Sequence, residues 1–309
     1  MSSLIEQATQ RLEQLRQAGV VLPEEAAPAV ATAPHVPLPT ALPEHAAAAG
    51  PTAAAESAAP VSKRVELDLD TLASIGIVSP QAPRSQIADQ YRVIKRPLIS
   101  NAMGRGASAI ANGNLIMVTS AMSGEGKSFT SINLAMSIAT ELDNTVMLVD
   151  ADVARPSVLR TLGLPASRGL LDLLTDDSLD MSSVLLRTNV DKLSILPSGS
   201  QHARATELLA SDAMARLLQN MATRYPDRII IFDSPPLLLT TESRVLATHM
   251  GQIVVVVQAN KTLQSDVRHA LATIEACPVK LMVLNQAGQD AGGGYGYGYG
   301  YGYAPKAST

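Results

Sequence analysis

The sequence of 309 residues predicts an α/β protein with a doubly wound, mostly parallel sheet and helices on both faces. Between about residues 89 and 285, short runs of Ile, Val and Leu alternate with helical patterns, as expected for a sheet that is covered on both sides. The first strand of this series leads into a glycine-containing loop and then into a helix, which is the setting of a phosphate-binding loop. Apolar residues make up 46% of the chain and aromatic residues only 3%, so the predicted core is aliphatic.

The individual elements follow from apolar runs and from helical periodicity. The predicted strands are Leu115–Thr119, Val146–Val149, Leu193–Leu196, Ile229–Phe232, Ile253–Val257 and Leu281–Leu284. The predicted helices cover residues 127–140, 168–175, 206–223, 242–249 and 262–276. A small element that begins at about Lys63 is also predicted, and the sequence does not decide whether it is a strand or a helix.

The folded domain is expected to cover residues 63–290, with different segments around it. Residues 1–19 are predicted to form a short amphipathic helix, because Ser3 and Glu6 form a capping box and apolar residues recur on one face. A lone helix of this length is marginal in water, so it docks either on a partner or on its own domain. Residues 20–62 are rich in Ala and Pro and are predicted to be a disordered linker.

Composition excludes several classes of function. A formal net charge of −4 argues against general nucleic-acid binding, which needs clustered Lys and Arg. A single cysteine, Cys277, excludes a disulfide framework and a cysteine-based zinc site, and it fits the reducing cytoplasm. The chain starts without a secretory pattern, and its apolar runs are far shorter than the roughly 18 residues of a membrane span. We therefore expect a cytoplasmic protein.

The loop after the first predicted strand is the candidate phosphate site. Its backbone N–H groups and the N-terminus of the following helix offer positive potential to phosphates. Lys127 is expected to reach the β- and γ-phosphates, and the Ser128 hydroxyl to ligate Mg²⁺. Ala121 stands where the usual motif has its first glycine, which is the smallest possible change. The predicted nucleotide-binding residues are Ser123, Gly124, Glu125, Gly126, Lys127, Ser128 and Phe129.

Carboxylates follow two further predicted strands. Asp150 and Asp152 come directly after one strand, and Asp233 follows another. Because open α/β sheets bind ligands at the carboxyl ends of their strands, we expect these acids to converge on the phosphate loop. Asp233 has the position of an acid that holds Mg²⁺ through its water shell. The sequence thus predicts chemistry that depends on ATP and Mg²⁺.

Three motifs together resemble a known family. SGEGKS at residues 123–128, VMLVDADVARPS at 146–157 and IIIFDSPPLLLTTES at 229–243 are similar to those of the bacterial tyrosine kinases of exopolysaccharide systems, within the MinD/ParA-like branch of P-loop proteins. The greatest similarity is to the exosortase-associated tyrosine autokinases, over roughly residues 65–303. The family often has Pro where Ser123 stands.

The resemblance implies roles for the site residues. Lys127, Asp150, Asp152 and Asp233 would be catalytic, with Asp150 as the first choice for the base and the division among the three acids left open. Ser128, Asp152 and Asp233 would surround the metal. Asn285 resembles the Asn that reads adenine, and its alternative interpretation is a turn residue at a strand end.

The resemblance also implies partners. Residues 85–97 are similar to the family's E-x-x-R-x-x-R/K oligomerisation motif, with Asp89 for Glu, Arg92, and Lys95 for the second basic residue. A homo-oligomeric ring is therefore implied, although Asp has a shorter reach than Glu. A membrane co-polymerase would activate the kinase and recruit it to the inner membrane, and a protein-tyrosine phosphatase would reverse the modification. The implied process is exopolysaccharide or capsule polymerisation and export.

The tail, residues 291–309, contains the predicted acceptors of autophosphorylation. Tyrosine alternates with glycine, which leaves the backbone free to lie extended in a cleft. The stretch from Asn285 to Tyr303 spans about 60 Å when extended, enough to reach a neighbouring active site. Alternatives are a MinD/ParA-type switch ATPase, a non-catalytic scaffold, or an adhesive tail without chemistry. The predicted acceptors are Tyr295, Tyr297, Tyr299, Tyr301 and Tyr303.

Overall fold

The structure, a computed structural model, describes residues 62–288 except 82, 83, 107 and 226. The predicted N-terminal helix, nearly all of the linker and the Gly/Tyr tail lie outside the described residues. None of the helices in the described part combines the length and the hydrophobicity that a membrane crossing needs.

Eight strands form one sheet in the described part of the chain, in the order β1-β4-β5-β3-β6-β2-β7-β8. Neighbouring strands are parallel except β4 and β5, which are antiparallel. The predicted doubly wound, mostly parallel sheet is therefore confirmed. The strands are β1 (Lys63–Val65), β2 (Leu115–Ser120), β3 (Thr145–Asp150), β4 (Leu186–Thr188), β5 (Leu193–Leu196), β6 (Arg228–Asp233), β7 (Gln252–Gln258) and β8 (Val279–Asn285).

Helices connect the strands and cover both faces of the sheet. Those of the first half are α1 (Leu69–Ser74), α2 (Gln86–Ala102), α3 (Lys127–Ala139), α4 (Val158–Thr161), α5 (Leu170–Thr175) and α6 (Met181–Val184). Those of the second half are α7 (Ala205–Leu209), α8 (Asp212–Arg224), α9 (Glu242–Ala247) and α10 (Gln264–Ala272).

The six predicted strands are all present, and most extend one or two residues beyond the apolar run. The helix predicted over 206–223 was wrong in one respect, because it is two helices, α7 and α8. The break has a local cause: the Ser211 hydroxyl caps α8 by accepting a hydrogen bond from the Met214 N–H at 3.2 Å. The small element at Lys63, whose type the sequence does not decide, begins with the three-residue strand β1, and the sequence patterns missed the short strand β4 and the long helix α2.

The core forms one apolar layer on each face of the sheet. One layer packs the sheet against α2 and α3, and the other packs it against α8, α9 and α10. All six residues of β2 are buried, because this central strand lies between β6 and β7 and under both layers. β2, β3 and β6 therefore form a rigid centre whose carboxyl ends carry the predicted site.

Candidate active site

The phosphate loop turns between β2 and α3 on glycines with left-handed backbone. Gly124 has φ 86° and Gly126 has φ 94°, a region that favours glycine. A Cβ atom on Gly126 would lie 2.0 Å from Nδ2 of Asn285, so close approach also demands glycine there. Ala121, the departure from the usual motif, is fully buried and packs in the core beneath the loop. The loop therefore keeps its geometry without the first glycine.

Lys127 opens α3 and points at the predicted acids. Its Nζ donates a hydrogen bond to Oδ2 of Asp152 at 2.7 Å, and the two side chains are 14% and 5% exposed. Oδ1 of Asp152 accepts the Arg155 N–H at 3.1 Å, which fixes the carboxylate. The structure thus brings together two of the predicted catalytic residues from different strand ends.

Asp150 and Asp233 are opposite each other in the register of β3 and β6. Oδ2 of Asp150 accepts the N–H groups of Ser157 and Val158 at 3.1 and 3.0 Å. Oδ1 of Asp233 accepts the Ser131 hydroxyl at 3.1 Å. The second carboxylate oxygen of each acid is buried, and none of the described residues hydrogen-bonds to it. Each acid therefore keeps one oxygen available to a ligand.

Burial controls the proton affinity of this pair. It raises the pKa of Asp150 to about 7, and the negative charge of Asp233 adds to the rise against the two backbone N–H donors. Burial also raises the pKa of Asp233 to about 6, although the Lys127 ammonium and the hydroxyls of Ser128 and Ser131 oppose it. Two like charges in a buried site favour the binding of a cation near the pair.

The residues fit a magnesium ion. The Ser128 hydroxyl is 2.8 Å from the Ser157 hydroxyl and close enough to Asp233 to lower the pKa of that acid. Among the described residues, no three or more His, Cys, Asp or Glu side chains lie close enough together to hold a metal ion by themselves. Mg²⁺ is usually held by one or two carboxylates together with water and substrate phosphates, and the residues here would supply the protein part of that donor set. Ser157 was not predicted, although it closes the second acidic motif.

The loop is braced by a residue from its own sequence. Oε2 of Glu125 accepts the Met122 N–H at 2.8 Å, and its Oε1 accepts the Thr262 hydroxyl. Asn285 donates from Nδ2 to the Glu125 carbonyl at 2.9 Å. The amide of Asn285 therefore contacts the loop, and recognition of adenine by this side chain stays a prediction. Thr262 was not predicted, because it lies 137 residues away along the chain.

A cavity of about 610 Å³ opens beside Asp150. Leu159 and Arg160 of α4 line one side, and the loop that contains Gly199 lines the other. Asp150, which is buried, forms part of the lining, so a guest in this cavity would lie beside the acid with the raised pKa.

The predicted oligomerisation motif lies on α2 and is divided by the fold. Asp89 and Arg92 form an ion pair on the outside. Lys95 is buried, pairs with Oε1 of Glu141 at 2.8 Å and donates to the Ser137 carbonyl. The ammonium group of Lys95 is thus already paired within its own chain, which differs from the ring contact expected of it. Contacts of Asp89 and Arg92 with a neighbouring subunit stay a prediction.

Comparisons with known proteins agree with this geometry. Residues 113–283 match the protein family described as "AAA domain". The chain is 30% identical over 206 residues to the tyrosine-protein kinase YwqD of Bacillus subtilis (strain 168), covering 67% of this chain and 83% of that one. It is 34% identical over 189 residues to the tyrosine-protein kinase ptk of Acinetobacter johnsonii, covering 60% of this chain but only 25% of that one.

Solved structures show the same fold. The crystal structure of the chimerical protein CapA2B2 has a TM-score of 0.56 at 26% identity and covers 72% of this chain and 93% of that chain. The kinase domain of VpsO has a TM-score of 0.53 at 25% identity, covering 66% of this chain and all of that chain. The match with VpsO thus extends over a complete kinase domain.

Proposed function

The chain belongs to the family of the bacterial tyrosine-protein kinases, and we propose that it transfers the γ-phosphoryl group of ATP to tyrosine hydroxyls, first of all to those of its own tail. The observation that carries the proposal is the cavity beside Asp150, which opens at the carboxyl end of β3 and offers this acid to an entering side chain. A switch ATPase needs only a water molecule at this place, so a cavity of about 610 Å³ favours an acceptor of the size of a tyrosine.

The first part of the proposal is the binding of nucleotide. Phosphoryl transfer depends mainly on positioning and on neutralising phosphate charge. The loop N–H groups and Lys127 would hold the phosphates, with the ammonium exchanging its bond to Asp152 for one to phosphate oxygens. Ser128, Asp152 and Asp233 would hold Mg²⁺, directly or through water. When bound, the ion neutralises charge that develops on the β- and γ-phosphates.

The second part is the transfer itself. The tyrosine oxygen bonds to the γ-phosphorus while the bond from that phosphorus to the bridging oxygen of ADP breaks. The hydroxyl proton passes to Asp150. A tyrosine hydroxyl has a pKa of about 10 in water, and a base works best when its own pKa lies near the working pH. The raised pKa of Asp150, about 7, suits that task.

The third part is the choice of acceptor. Tail tyrosines at Tyr295, Tyr297, Tyr299, Tyr301 and Tyr303 are flanked by glycine, so each can enter the cavity without a neighbouring side chain in the way. Arg160, which lines the cavity, offers positive charge to the phosphorylated product.

We further propose the setting implied by the family resemblance. The kinase would assemble as a homo-oligomeric ring and act in the cytoplasm. It would be recruited to the inner membrane by a polysaccharide co-polymerase, and a protein-tyrosine phosphatase would reset it. Exopolysaccharide or capsule polymerisation and export would be the process regulated. The names of the relatives, which are tyrosine kinases, support the catalytic part of this proposal.

The test follows the γ-phosphate. The full chain is incubated with Mg²⁺ and ATP labelled on its γ-phosphate, at a series of protein concentrations, and label on protein is separated from free phosphate. We expect label on the tail tyrosines, rising with protein concentration, and at least a roughly 100-fold loss in Lys127→Met. The exposed Lys261 provides the matched control, Lys261→Met.

One outcome would contradict the kinase activity, and a second would contradict the choice of acceptor. Label that appears only as free phosphate would establish the switch ATPase. Label that persists after all five tail tyrosines are replaced by Phe would disprove the tail as the principal acceptor.

A further inference from the structure

The last strand of the sheet has an open edge. β8 pairs with β7 along seven registered positions and stands at the end of the strand order in the described residues. Its outer N–H and C=O groups therefore face away from every other described strand. Proteins normally protect such edges, because an open edge pairs with any available strand.

Two large apolar side chains at this edge are exposed. Met282 and Leu284 alternate along β8, and 63% and 62% of their surfaces are accessible. Together with Val257 and Leu271 they line a groove of about 440 Å³ between β8 and α10, and Arg268 stands in its wall. Exposed apolar surface of this kind next to free backbone groups marks a place where another strand packs.

The chain itself supplies a strand of matching pattern. Residues 294–303 alternate strictly between Gly and Tyr. In an extended strand, successive side chains point to opposite faces, so this pattern places every tyrosine on one face and only hydrogen atoms on the other. The segment starts nine residues after Asn285, the last residue of β8, and residues 286–293 between them include three glycines. Those eight residues easily span the distance of about 4.8 Å between neighbouring strands.

We propose that residues 294–303 add to β8 as an antiparallel strand, with the tyrosine rings packed over Met282 and Leu284. Backbone hydrogen bonds would satisfy the open edge, and cross-strand contacts of aromatic rings with aliphatic side chains stabilise sheets. The Arg268 guanidinium would meet the face of a tyrosine ring. The glycine face would lie towards α2, where it needs no room for side chains.

The docked position is far from the cavity beside Asp150. The sheet order places four strand spacings between β8 and β3, which is about 19 Å. A docked tail therefore keeps its tyrosines out of the active site of its own chain. This consequence rests on the proposed kinase activity, whereas the docking itself does not.

The test uses disulfide trapping in the full chain without nucleotide. The natural Cys277 is buried and is the single cysteine of the sequence, so it leaves a low background. Met282→Cys is combined with Tyr297→Cys or with Gly298→Cys, and diamide serves as the oxidant. We expect intramolecular cross-linking at least fivefold faster with position 297 than with 298. The control pair is Leu142→Cys with Tyr297→Cys, because Leu142 is 87% exposed and precedes β3, four strand positions away from β8.

A second measurement identifies the occupant. Hydrogen exchange of β8 is compared among the full chain, a variant lacking residues 289–309 and a variant lacking residues 1–19. We expect β8 to lose protection only without the tail. Equal trapping at 297 and 298, protection that depends on residues 1–19, or cross-links found only in covalent dimers would each overturn the proposal. None of these readouts needs phosphoryl transfer, so an inactive kinase would leave the docking testable.

Discussion

Asp150 lies opposite Asp233 across two neighbouring strands, and each acid keeps one buried carboxylate oxygen that no described residue hydrogen-bonds. The remaining oxygens are held by the N–H groups of Ser157 and Val158 and by the Ser131 hydroxyl. Two buried acids held so firmly cannot move apart to relieve their repulsion. The repulsion therefore destabilises the folded protein at a pH at which both acids are ionised.

The first prediction concerns stability against pH in the protein without metal. The pKa values of both acids are raised in the folded state, to about 7 for Asp150 and about 6 for Asp233. The folded state therefore binds more protons than the unfolded state between about pH 4 and pH 7, and stability from these groups falls as pH rises through that range. Asp150→Asn should raise the Tm at pH 7.5 by a few degrees while abolishing transfer.

Asn keeps the oxygen that accepts the two N–H groups, removes the charge and puts an NH₂ group in place of the second oxygen. The check is a series of thermal denaturations of both proteins from pH 5 to pH 8, with and without Mg²⁺ and a non-hydrolysable ATP analogue. The difference in Tm should be smaller at pH 5 than at pH 7.5, and it should also shrink when the ligands are bound. A lower Tm for Asp150→Asn at pH 7.5 without metal would show that the Asp150 carboxylate stabilises the fold more than its repulsion from Asp233 destabilises it.

Much of this site could be predicted from the sequence, because the chemistry lies at strand ends. A buried parallel strand appears in the sequence as an apolar run. The residues directly after it lie at the binding edge of the sheet, and this placement does not depend on where the helices pack. Asp150, Asp152 and Asp233 were predicted in this way and Lys127 from the loop motif, and the structure brings them together. The α/β class followed from the same runs.

What the sequence did not reveal depends on packing between distant segments. The contact of Thr262 with Glu125 joins residues that are 137 positions apart, and no local sequence pattern predicts it. Strands β1 and β4 are three residues long and pair with each other in parallel, so their periodicity is too short to recognise.

The case of Lys95 is different, because a signal was present. The buried residues Ala88, Tyr91, Lys95 and Leu98 recur at helical spacing on α2, so the pattern places Lys95 on the inner face.

The second prediction concerns Gly126. An added methyl group would meet Asn285 Nδ2 at 2.0 Å on a backbone with φ 94°, so Gly126→Ala should abolish measurable ATP binding and lower stability by about 2–4 kcal/mol. Gly163→Ala is the matched control, because Gly163 has φ 72° but nothing within 4 Å of its added Cβ. That variant should lose only about 1 kcal/mol, the cost of the backbone conformation.

Adding Asn285→Ala to Gly126→Ala separates clash from backbone strain. Removal of the amide takes away the nearest clashing atom, so part of the lost stability should return in chemical denaturation. Strict additivity of the two substitutions would contradict the clash.

The third prediction concerns the brace of the phosphate loop. Thr262→Val removes the hydroxyl that donates to Glu125, a carboxylate that is 3% exposed. A buried carboxylate with one donor fewer destabilises the loop conformation that binds phosphates. We expect the KM for ATP to rise about tenfold with little change in kcat. Steady-state kinetics over a range of ATP concentrations measures the two constants separately.

Thr248→Val is the control for that experiment, because the Thr248 hydroxyl bonds to the Val245 carbonyl of its own turn, at an exposed position. Its KM should stay unchanged. If Thr262→Val lowered kcat and left KM alone, Thr262 would act on the transfer step and not on the loop that holds the nucleotide.

The fourth prediction separates the two parts of the motif on α2. Lys95 is 3% exposed, and its ammonium pairs with Glu141 and donates to the carbonyl of Ser137 and the hydroxyl of Thr140 at the end of α3. Removing one partner of a buried ion pair costs about 3–5 kcal/mol, because the other charge is left uncompensated. Lys95→Met should therefore lower the free energy of unfolding by that amount in urea denaturation.

Asp89→Ala should leave the stability of the fold almost unchanged. Asp89 lies on the outer side of α2, where an ion pair adds little to stability, so the free energy of unfolding should change by less than about 0.5 kcal/mol. Any effect of Asp89→Ala should fall on assembly, measured as a shift in mass distribution by sedimentation velocity at several concentrations. Arg96→Ala, at an exposed basic neighbour of Lys95, controls for loss of positive charge on the helix. Since helix α3 begins at the phosphate loop and ends beside Lys95, a destabilised Lys95→Met protein should also bind ATP more weakly, whereas the Asp89 variant should bind it normally as a monomer.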